Sequence, residues 1–220
     1  MVKLEYESFL SLREGAEVVE ADGHGEKVLL LRDGTYLKLF RRKRLLSSAV
    51  WYPYAQRFSD NAEALTARGI PCPAVVGVYR LPAISRDAVH YRPVAGQALR
   101  QLVAVDSCGT RLRFEFGAFV AKLHGLGVYF RSLHLGNVIL MPGGDFGLID
   151  LADLRFARGA LGKRLVERNM RHLFRLPGDR SWLSFDGGRA FISGYRFGSG
   201  RLPAIEKNGF ADLGIAGQSG

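Results

Sequence analysis

The sequence predicts a mixed α+β chain in two parts, a sheet-rich N-terminal half and a mostly helical C-terminal half. Three short runs rich in apolar residues lie between residues 16 and 40, and turn signals separate them. Between residues 110 and 126, apolar residues instead recur at steps of three and four, as on the buried face of a helix. A polar loop over residues 129–140 follows that helix and precedes two further short strands.

Five strands are predicted in the N-terminal half. The segment AEVVEADGHGEKVLLLRDGTYLKLF forms three of them, since Gly23 and Gly25 mark one turn and Asp33-Gly34 is a strong hairpin signal for the next. The segments PAVVGVYRL and AVHYRPV supply the last two strands. This half therefore has the composition of a small antiparallel sheet.

One main helix is predicted between the third and fourth strands, in the segment SDNAEALTARGIP. Its apolar residues have helical spacing. Ser59 or Asp60 is expected to cap the N-terminus, and Gly69-Ile70-Pro71 to stop the helix.

The C-terminal half is predicted to be mainly helical. The buried stripe of its first helix consists of Leu112, Phe116, Phe119, Leu123 and Leu126. Two short strands, NVIL and FGLID, flank a Pro-Gly-Gly turn, and KRLVERNMRHLFRL is a second helix. SWLSFDGGRAFISGYRF is expected to be a third helix, weakened by its Gly-Gly pair, and residues 206–220 a flexible tail.

The charge of the chain favours an anionic partner. A formal net charge of +10 suits nucleic acid, nucleotide, phospholipid headgroups or a phosphorylated glycan. No nucleic-acid-binding motif is present and the basic residues are spread along the chain, which disfavours nucleic acid. Cys72 and Cys108 are too few for a zinc site or a disulfide framework, so a reducing cytoplasm is expected, with neither signal peptide nor transmembrane helix.

Three polar residues have the types and the spacing of metal- and phosphate-binding residues. Asn137 ends a loop before one short strand, and Asp150 ends the next, thirteen positions later. In protein kinases and their relatives, an Asn and an Asp at this spacing hold the magnesium ions that bridge the nucleotide phosphates. Lys38 lies in the middle of the third strand, where the kinase lysine contacts those phosphates. Gly23 and Gly25 form either a plain hairpin turn or a loop that covers phosphate.

The segments LHGLGVYFRSLHLGNVIL and FGLIDLADL resemble the lipopolysaccharide core kinase family, which includes kinases acting on Kdo and heptose sugars. Within that group, the chain looks most like the bacterial toluene tolerance proteins. The family loop has the pattern H-G-D-L-H-x-G-N, and four of its positions match here, at Leu133, His134, Gly136 and Asn137. The family's L-H-x-x-G and R-N-L-R-R-L-x-R segments also have counterparts, LHGLG and RNMRHLFR.

The resemblance implies a bilobal protein-kinase-like fold with a small antiparallel-sheet N-lobe and a reduced, mostly helical C-lobe. It implies ATP and Mg²⁺ as cofactors, an anionic glycolipid of the lipopolysaccharide core as substrate, and a cytoplasmic location. Membrane association would then be peripheral, at the inner face of the cytoplasmic membrane. The expected boundaries are an N-lobe over residues 1–95, a hinge at 91–96, a C-lobe over 96–205, the catalytic-type loop at 129–140 and the metal strand at 146–150.

The family's catalytic aspartate is replaced by Ser132, and the residues before it by Phe130 and Arg131. Ser132 could orient a sugar hydroxyl, while His134 or Asp153 could accept its proton. The implied site comprises Ser132, His134 and Asp150 for catalysis, and Gly23, Gly25, Lys38, Asn137 and Asp150 for nucleotide and metal. Two functions stay open at this point, a slow or rewired sugar kinase and a nucleotide-binding pseudokinase; an antibiotic kinase is a further enzyme option.

Three further positions have alternatives. Phe58 stands where the family has a glutamate that pairs with the strand lysine, and Asp60 or Glu63 could replace it only in a different helix register. Arg131 could pair with Asp150 or Asp153, or bind a substrate phosphate. The later basic helix is either a solvated face or the rim of a site for an acidic substrate.

Overall fold

The computed structural model describes residues 1–42, 52–104 and 109–199. The chain divides into two compact units, Met1–Val94 with Leu148–Ala152, and Ala95–Gly147 with Asp153–Gly220. Lys43, Arg44, Cys108 and the expected tail lie outside the described residues. The predicted α+β class is confirmed, with strands dominating the first unit and helices the second.

The first unit contains a six-stranded sheet in the order β1-β5-β6-β4-β3-β2. All neighbouring strands are antiparallel except β1 and β5. The five predicted strands are β2 to β6, whereas β1 and α1 were not predicted. The elements of this unit are β1 Val2–Lys3, α1 Tyr6–Arg13, β2 Glu17–Asp22, β3 Gly25–Leu30, β4 Tyr36–Arg41, α2 Tyr54–Thr66, β5 Ala74–Leu81 and β6 Arg86–Arg92.

A small apolar core fixes the central strands of this sheet. Leu37 and Leu39 of β4 point into it, together with Leu29 of β3 and Phe9 of α1. Because side chains alternate along a strand, Lys38 lies on the opposite face of β4 from its two leucine neighbours. The packing of Leu37 and Leu39 therefore fixes where the Lys38 side chain emerges.

Helix α2 begins at Tyr54, which makes the predicted N-cap at Ser59 or Asp60 wrong. Pro53 precedes the helix and has a fixed φ of −60°, so the chain can enter the helix directly from an extended residue. The predicted stop is confirmed, because Gly69 adopts a left-handed φ of 66° and the Ile70 N–H returns to the Leu65 carbonyl.

The second unit is mostly helical. Two small sheets accompany the helices, one in the order β10-β9-β7 and one pairing β11 with β8. The first two residues of β10 belong to this unit. The elements are β7 Gln97–Ala98, α3 Leu99–Ala104, α4 Thr110–Gly125, β8 Val128–Phe130, β9 Val138–Leu140, β10 Phe146–Leu148, β11 Leu154–Phe156, α5 Lys163–Leu173, α6 Pro177–Leu183 and α7 Arg189–Ser199.

The single helix predicted over the segment SWLSFDGGRAFISGYRF is wrong, because the chain forms two helices there. Gly187 and Gly188 both have positive φ values, 69° and 75°, and so interrupt the helical hydrogen bonding between α6 and α7. Among the described residues, no helix is both long enough and apolar enough to cross a membrane.

Helices α4 and α7 approach closely where glycines face the neighbouring backbone. A Cβ placed on Gly194 would lie 1.8 Å from the Phe114 carbonyl oxygen. We expect Gly194→Ala to reduce the free energy of unfolding by about 2 kcal/mol, the usual cost of overpacking a core. Urea denaturation would measure this. Gly125→Ala is the control, since a Cβ there meets nothing within 4 Å; equal stability of the two variants would contradict the prediction.

Candidate functional site

Lys38 and Asp150 form an ion pair within the first unit. The Lys38 ammonium lies 2.5 Å from Asp150 Oδ1. The lysine side chain is 14% exposed and the aspartate 44%, so the carboxylate remains accessible to solvent. The ammonium also lies 5.8 Å from the centroid of the Phe40 ring. Two residues predicted to bind nucleotide are thus brought together across 112 positions of sequence.

Asp150 has an unusual backbone conformation. It lies two residues beyond the end of β10 and has a φ of 57°, in the left-handed region. Such a conformation costs a non-glycine residue about 1–3 kcal/mol and persists only where surrounding contacts impose it. The Asp150 carboxylate is therefore held in place at a cost to stability, as is common at functional sites.

The surrounding contacts come from helix α2 and the loop after it. Asn61 donates its side-chain amide to the Leu151 carbonyl at 2.6 Å, and the Leu148 N–H donates to the Pro71 carbonyl at 2.9 Å. These two bonds hold the backbone on both sides of Asp150. Sequence reasoning missed Asn61. Its position three residues after the buried Phe58, on the same helical face, was the available signal.

No acidic side chain of α2 pairs with Lys38. Phe58, at the place of the family's glutamate, is 1% exposed and stacks on Tyr91 with centroids 5.2 Å apart. Asp60 instead accepts hydrogen bonds from Tyr52 and Gln56, and Glu63 is exposed. The lysine therefore pairs with the predicted metal ligand.

The Gly23–Gly25 segment forms a tight hairpin turn. Asp22 at the end of β2 faces Gly25 at the start of β3, and Gly25 has a φ of 103° that favours glycine. The Asp22 carboxylate accepts the His24 N–H at 2.8 Å, which lowers the pKa of that carboxyl. Arg86 donates to the His24 carbonyl at 2.5 Å. A phosphate-covering role for these glycines stays a prediction.

In the second unit, Ser132 is hydrogen-bonded to a carboxylate. Its hydroxyl donates to Asp153 Oδ2 at 3.1 Å, and its carbonyl accepts the Asn137 side-chain amide at 2.9 Å. Because the second bond uses the side-chain nitrogen of Asn137, its side-chain oxygen points away from the Ser132 carbonyl. Where the family has a catalytic aspartate, this chain therefore has a serine hydroxyl joined to an aspartate 21 residues later.

His134 is half-buried in the same loop. Its carbonyl accepts the Asn137 N–H at 2.9 Å, which closes the short helical turn Leu135–Asn137. A Cβ placed on Gly136 would lie 3.2 Å from His134 Cε1 and 3.0 Å from Arg100 Nη1. The His134 backbone shapes the loop, and its role as a base stays a prediction.

Asp179 anchors this loop from helix α6. It is 3% exposed, receives two hydrogen bonds from Arg100 at 3.0 and 2.8 Å, and accepts the Leu135 N–H at 2.9 Å. Sequence reasoning missed both charged residues, because no local pattern links positions that are 79 residues apart.

We expect Asp179→Ala to lower the free energy of unfolding by about 2 kcal/mol, because the buried Leu135 N–H loses its acceptor and Arg100 loses its partner. Thermal or urea denaturation would show the loss. Asp145→Ala serves as the control, since Asp145 is exposed in the turn between β9 and β10. A variant as stable as the wild type would show that Asp179 does not anchor the loop.

The L-H-x-x-G and R-N segments meet in the core of the second unit. His124, which is fully buried, contacts Asn169 Oδ1 at 3.2 Å and the Tyr195 hydroxyl at 2.9 Å. Asn169 also donates to the Phe130 carbonyl at 2.6 Å. Burial lowers the pKa of His124 to about 4. These motif residues therefore hold β8, which leads into the Ser132 loop.

Asp150 and Asn137 have the donor chemistry of magnesium ligands. Among the described residues, no group of three or more acidic, histidine or cysteine side chains is placed to hold a metal ion. Magnesium in phosphoryl-transfer sites does not need such a group, because it takes one or two protein oxygens and completes its shell with water and phosphate. The exposed Asp150 carboxylate and the amide oxygen of Asn137 are hard donors of that kind.

The element order and the Lys38–Asp150 pair are those of a protein-kinase-like fold. A lysine on the third strand of the predicted sheet, a helix after it, and an aspartate just after the last hairpin occur in the kinase order. The predicted kinase-like fold is confirmed at this level.

Solved structures similar to the chain include kinases. Two structures of WbdD, one described as a bifunctional kinase-methyltransferase, are 14% identical with a TM-score of 0.47, over 86% of this chain and 46% and 45% of theirs. A divergent kinase that lacks the glycine-rich loop and regulates membrane ultrastructure of the Toxoplasma parasitophorous vacuole is 21% identical with a TM-score of 0.45, over 80% of this chain and 66% of its own. This chain thus spans less than half of the WbdD structures.

No family model matches the chain, and no curated protein matches it. Membership of the lipopolysaccharide core kinase family therefore stays a prediction.

Proposed function

We propose that the chain is an ATP- and magnesium-dependent phosphotransferase that phosphorylates a sugar hydroxyl of the lipopolysaccharide core. The observation that carries the proposal is the ion pair between Lys38 and Asp150, with Asp150 held in a strained backbone conformation. The family resemblance supports the choice of acceptor. The acceptor would be an anionic glycolipid, reached from the cytoplasmic face of the inner membrane.

Each polar residue has a defined part in this proposal. The magnesium-nucleotide complex, when bound, supplies the phosphoryl group and offsets the charge that develops during its transfer. Lys38 offers its ammonium to the phosphate oxygens, and Asp150 and Asn137 offer oxygens to the metal ion. The thirteen-residue spacing between Asn137 and Asp150 supports their assignment as magnesium ligands.

Ser132 and Asp153 take the place of the missing catalytic aspartate. The Ser132 hydroxyl already donates to Asp153, so its oxygen lone pairs are available to accept a hydrogen bond from an acceptor hydroxyl. As that hydroxyl is phosphorylated, its proton passes to the Ser132 oxygen while the serine proton passes to Asp153. A general base of this kind contributes about 10²–10⁴-fold in rate, so a relayed one is sufficient for slow turnover.

Turnover of the acceptor tests this arrangement. We expect Asp153→Asn to reduce kcat by about 100-fold, because the proton then has no acceptor, and Ser132→Ala by a comparable factor. Magnesium-dependent ADP release with core oligosaccharide would be measured for each variant and for the control Asp145→Asn, whose carboxylate is exposed. If Asp153→Asn turns over as fast as the control, Asp153 is not the proton acceptor.

A pseudokinase is the second candidate function, and one observation favours it. The Lys38 ammonium already engages an oxygen of the predicted metal ligand, and no helix acid is placed to draw it away. In that case the chain would bind nucleotide or a partner of the same pathway without transferring phosphate. Calorimetry separates the two functions, since nucleotide binding with no core-stimulated ADP release identifies the pseudokinase.

A further inference from the structure

Helix α5 presents a row of arginines on its exposed side. Arg168 and Arg171 are three positions apart on α5, and Arg175 lies two residues beyond the helix end; all three are exposed. Residues at such steps lie on one face of a helix. The opposite face is buried through Val166, Met170, Leu173 and the Asn169 that binds the Phe130 backbone. The row is therefore fixed on a well-anchored element.

Arg131, in the loop that carries Ser132, belongs to the same group. His172 follows Arg171 on α5, and its pKa is lowered first by burial and then by the charges of Arg168, Arg175, Arg131 and Arg171. Two contacts place the chain just before Arg131 against α5: Asn169 donates to the Phe130 carbonyl at 2.6 Å, and the Tyr129 hydroxyl lies 3.4 Å from His172 Nε2. We call Arg131, Arg168, Arg171 and Arg175 the arginine patch.

The four arginines of the patch form no ion pair with a carboxylate in the described part of the chain. Arg111 on α4, by contrast, is paired with Glu115 one turn later. The only acid of α5 is Glu167, which is half-buried. Like charges at helical spacing repel one another, so a purely solvated face would gain from interspersed acids.

The position of the patch points to the acceptor. Arg131 immediately precedes Ser132, and Asn169 of α5 holds the Phe130 backbone just before it. The patch is thus part of the same unit and the same anchored segment as the Ser132–Asp153 pair. Guanidinium groups bind phosphate with two parallel hydrogen bonds, and several in a row suit a ligand with more than one phosphate.

We propose that the arginine patch binds phosphate groups already present on the acceptor, so that the substrate class is a phosphorylated polyol rather than a neutral sugar. That the bound molecule is the acceptor rests on the proposed function, whereas the binding of phosphate by the patch does not depend on catalysis. The patch recognises the substrate, and the Ser132–Asp153 pair acts on a hydroxyl beside it.

Binding of inositol hexakisphosphate to the full chain tests the proposal. This probe carries closely spaced phosphates on a polyol ring and requires no turnover. We expect the wild type to bind it in a salt-dependent way, and the double variant Arg168→Gln/Arg171→Gln to bind at least 10-fold more weakly. The control is Arg111→Gln/Arg189→Gln, which removes the same charge from exposed arginines of α4 and α7 and should bind within about 2-fold of wild type.

Three results would overturn the proposal. Equal losses in the two double variants would show that only net charge matters. No binding of the probe by the wild type would remove the site. Binding to vesicles of phosphatidylglycerol and phosphatidylcholine (3:7), lost in Arg168→Gln/Arg171→Gln but without binding of the probe, would identify a membrane contact instead. Magnesium-dependent ATP binding, measured separately, reports on the proposed function, so the two can fail independently.

Discussion

Replacing Asp150 with asparagine is expected to reduce kcat by about 1,000-fold or more, at the upper end of what a single electrostatic contact at a transition state supplies. Asparagine has nearly the same shape and tolerates the left-handed backbone conformation better than most residues, so φ near 57° can be kept. The change therefore removes the negative charge while leaving the backbone in place. The Lys38 ammonium would lose its ion-pair partner at 2.5 Å.

Two companion variants separate charge from backbone strain. Asp150→Gly removes the charge and also relieves the left-handed conformation, which costs about 1–3 kcal/mol for a side-chain-bearing residue. We expect it to be inactive yet at least as stable as Asp150→Asn. Asp150→Glu keeps the charge but displaces the carboxylate, and it should also lose most activity. The measurements are magnesium-dependent ADP release and urea denaturation; an Asp150→Asn enzyme within 10-fold of wild type would remove Asp150 from the site.

The sequence predicted the parts of the fold that depend on local periodicity. Strands β2 to β6 follow from apolar runs bounded by turn signals, and helix α4 follows from the helical spacing of its buried residues. Helix α1 was not predicted, because a single residue, Phe9, is buried along its eight residues. The division of the last helical segment at Gly187 and Gly188 depended on backbone conformation, which composition indicates only weakly.

The site was predictable where a motif fixes the spacing and not where contacts are long-range. Lys38 and Asp150 were found from the motif, and the structure joins them. The anchors were missed, since Asn61 acts on a carbonyl 90 residues away and Asp179 on an amide 44 residues away. No sequence pattern specifies such pairs, because they arise only when separate elements pack together.

The second prediction with a large effect is a loss of folding stability at acid pH. His124 is fully buried and held between Asn169 and the Tyr195 hydroxyl, and burial lowers its pKa to about 4. In the unfolded chain a histidine has a pKa near 6.5, so between these values the unfolded state binds more protons than the folded state. Folding stability must therefore fall as the pH falls, beginning near 6.5 and ending near 4.

Unfolding free energy measured by urea denaturation from pH 7.5 to pH 4 is expected to drop by about 3 kcal/mol through His124 alone, since each pH unit between the two pKa values is worth about 1.4 kcal/mol. His124→Gln should remove this component, because glutamine can still donate to Asn169 Oδ1 and carries no charge at any pH. The control is His24→Gln, in the exposed β2–β3 turn, which should leave the acid sensitivity unchanged. A His124→Gln protein that loses as much stability on acidification as the wild type would show that another group causes it.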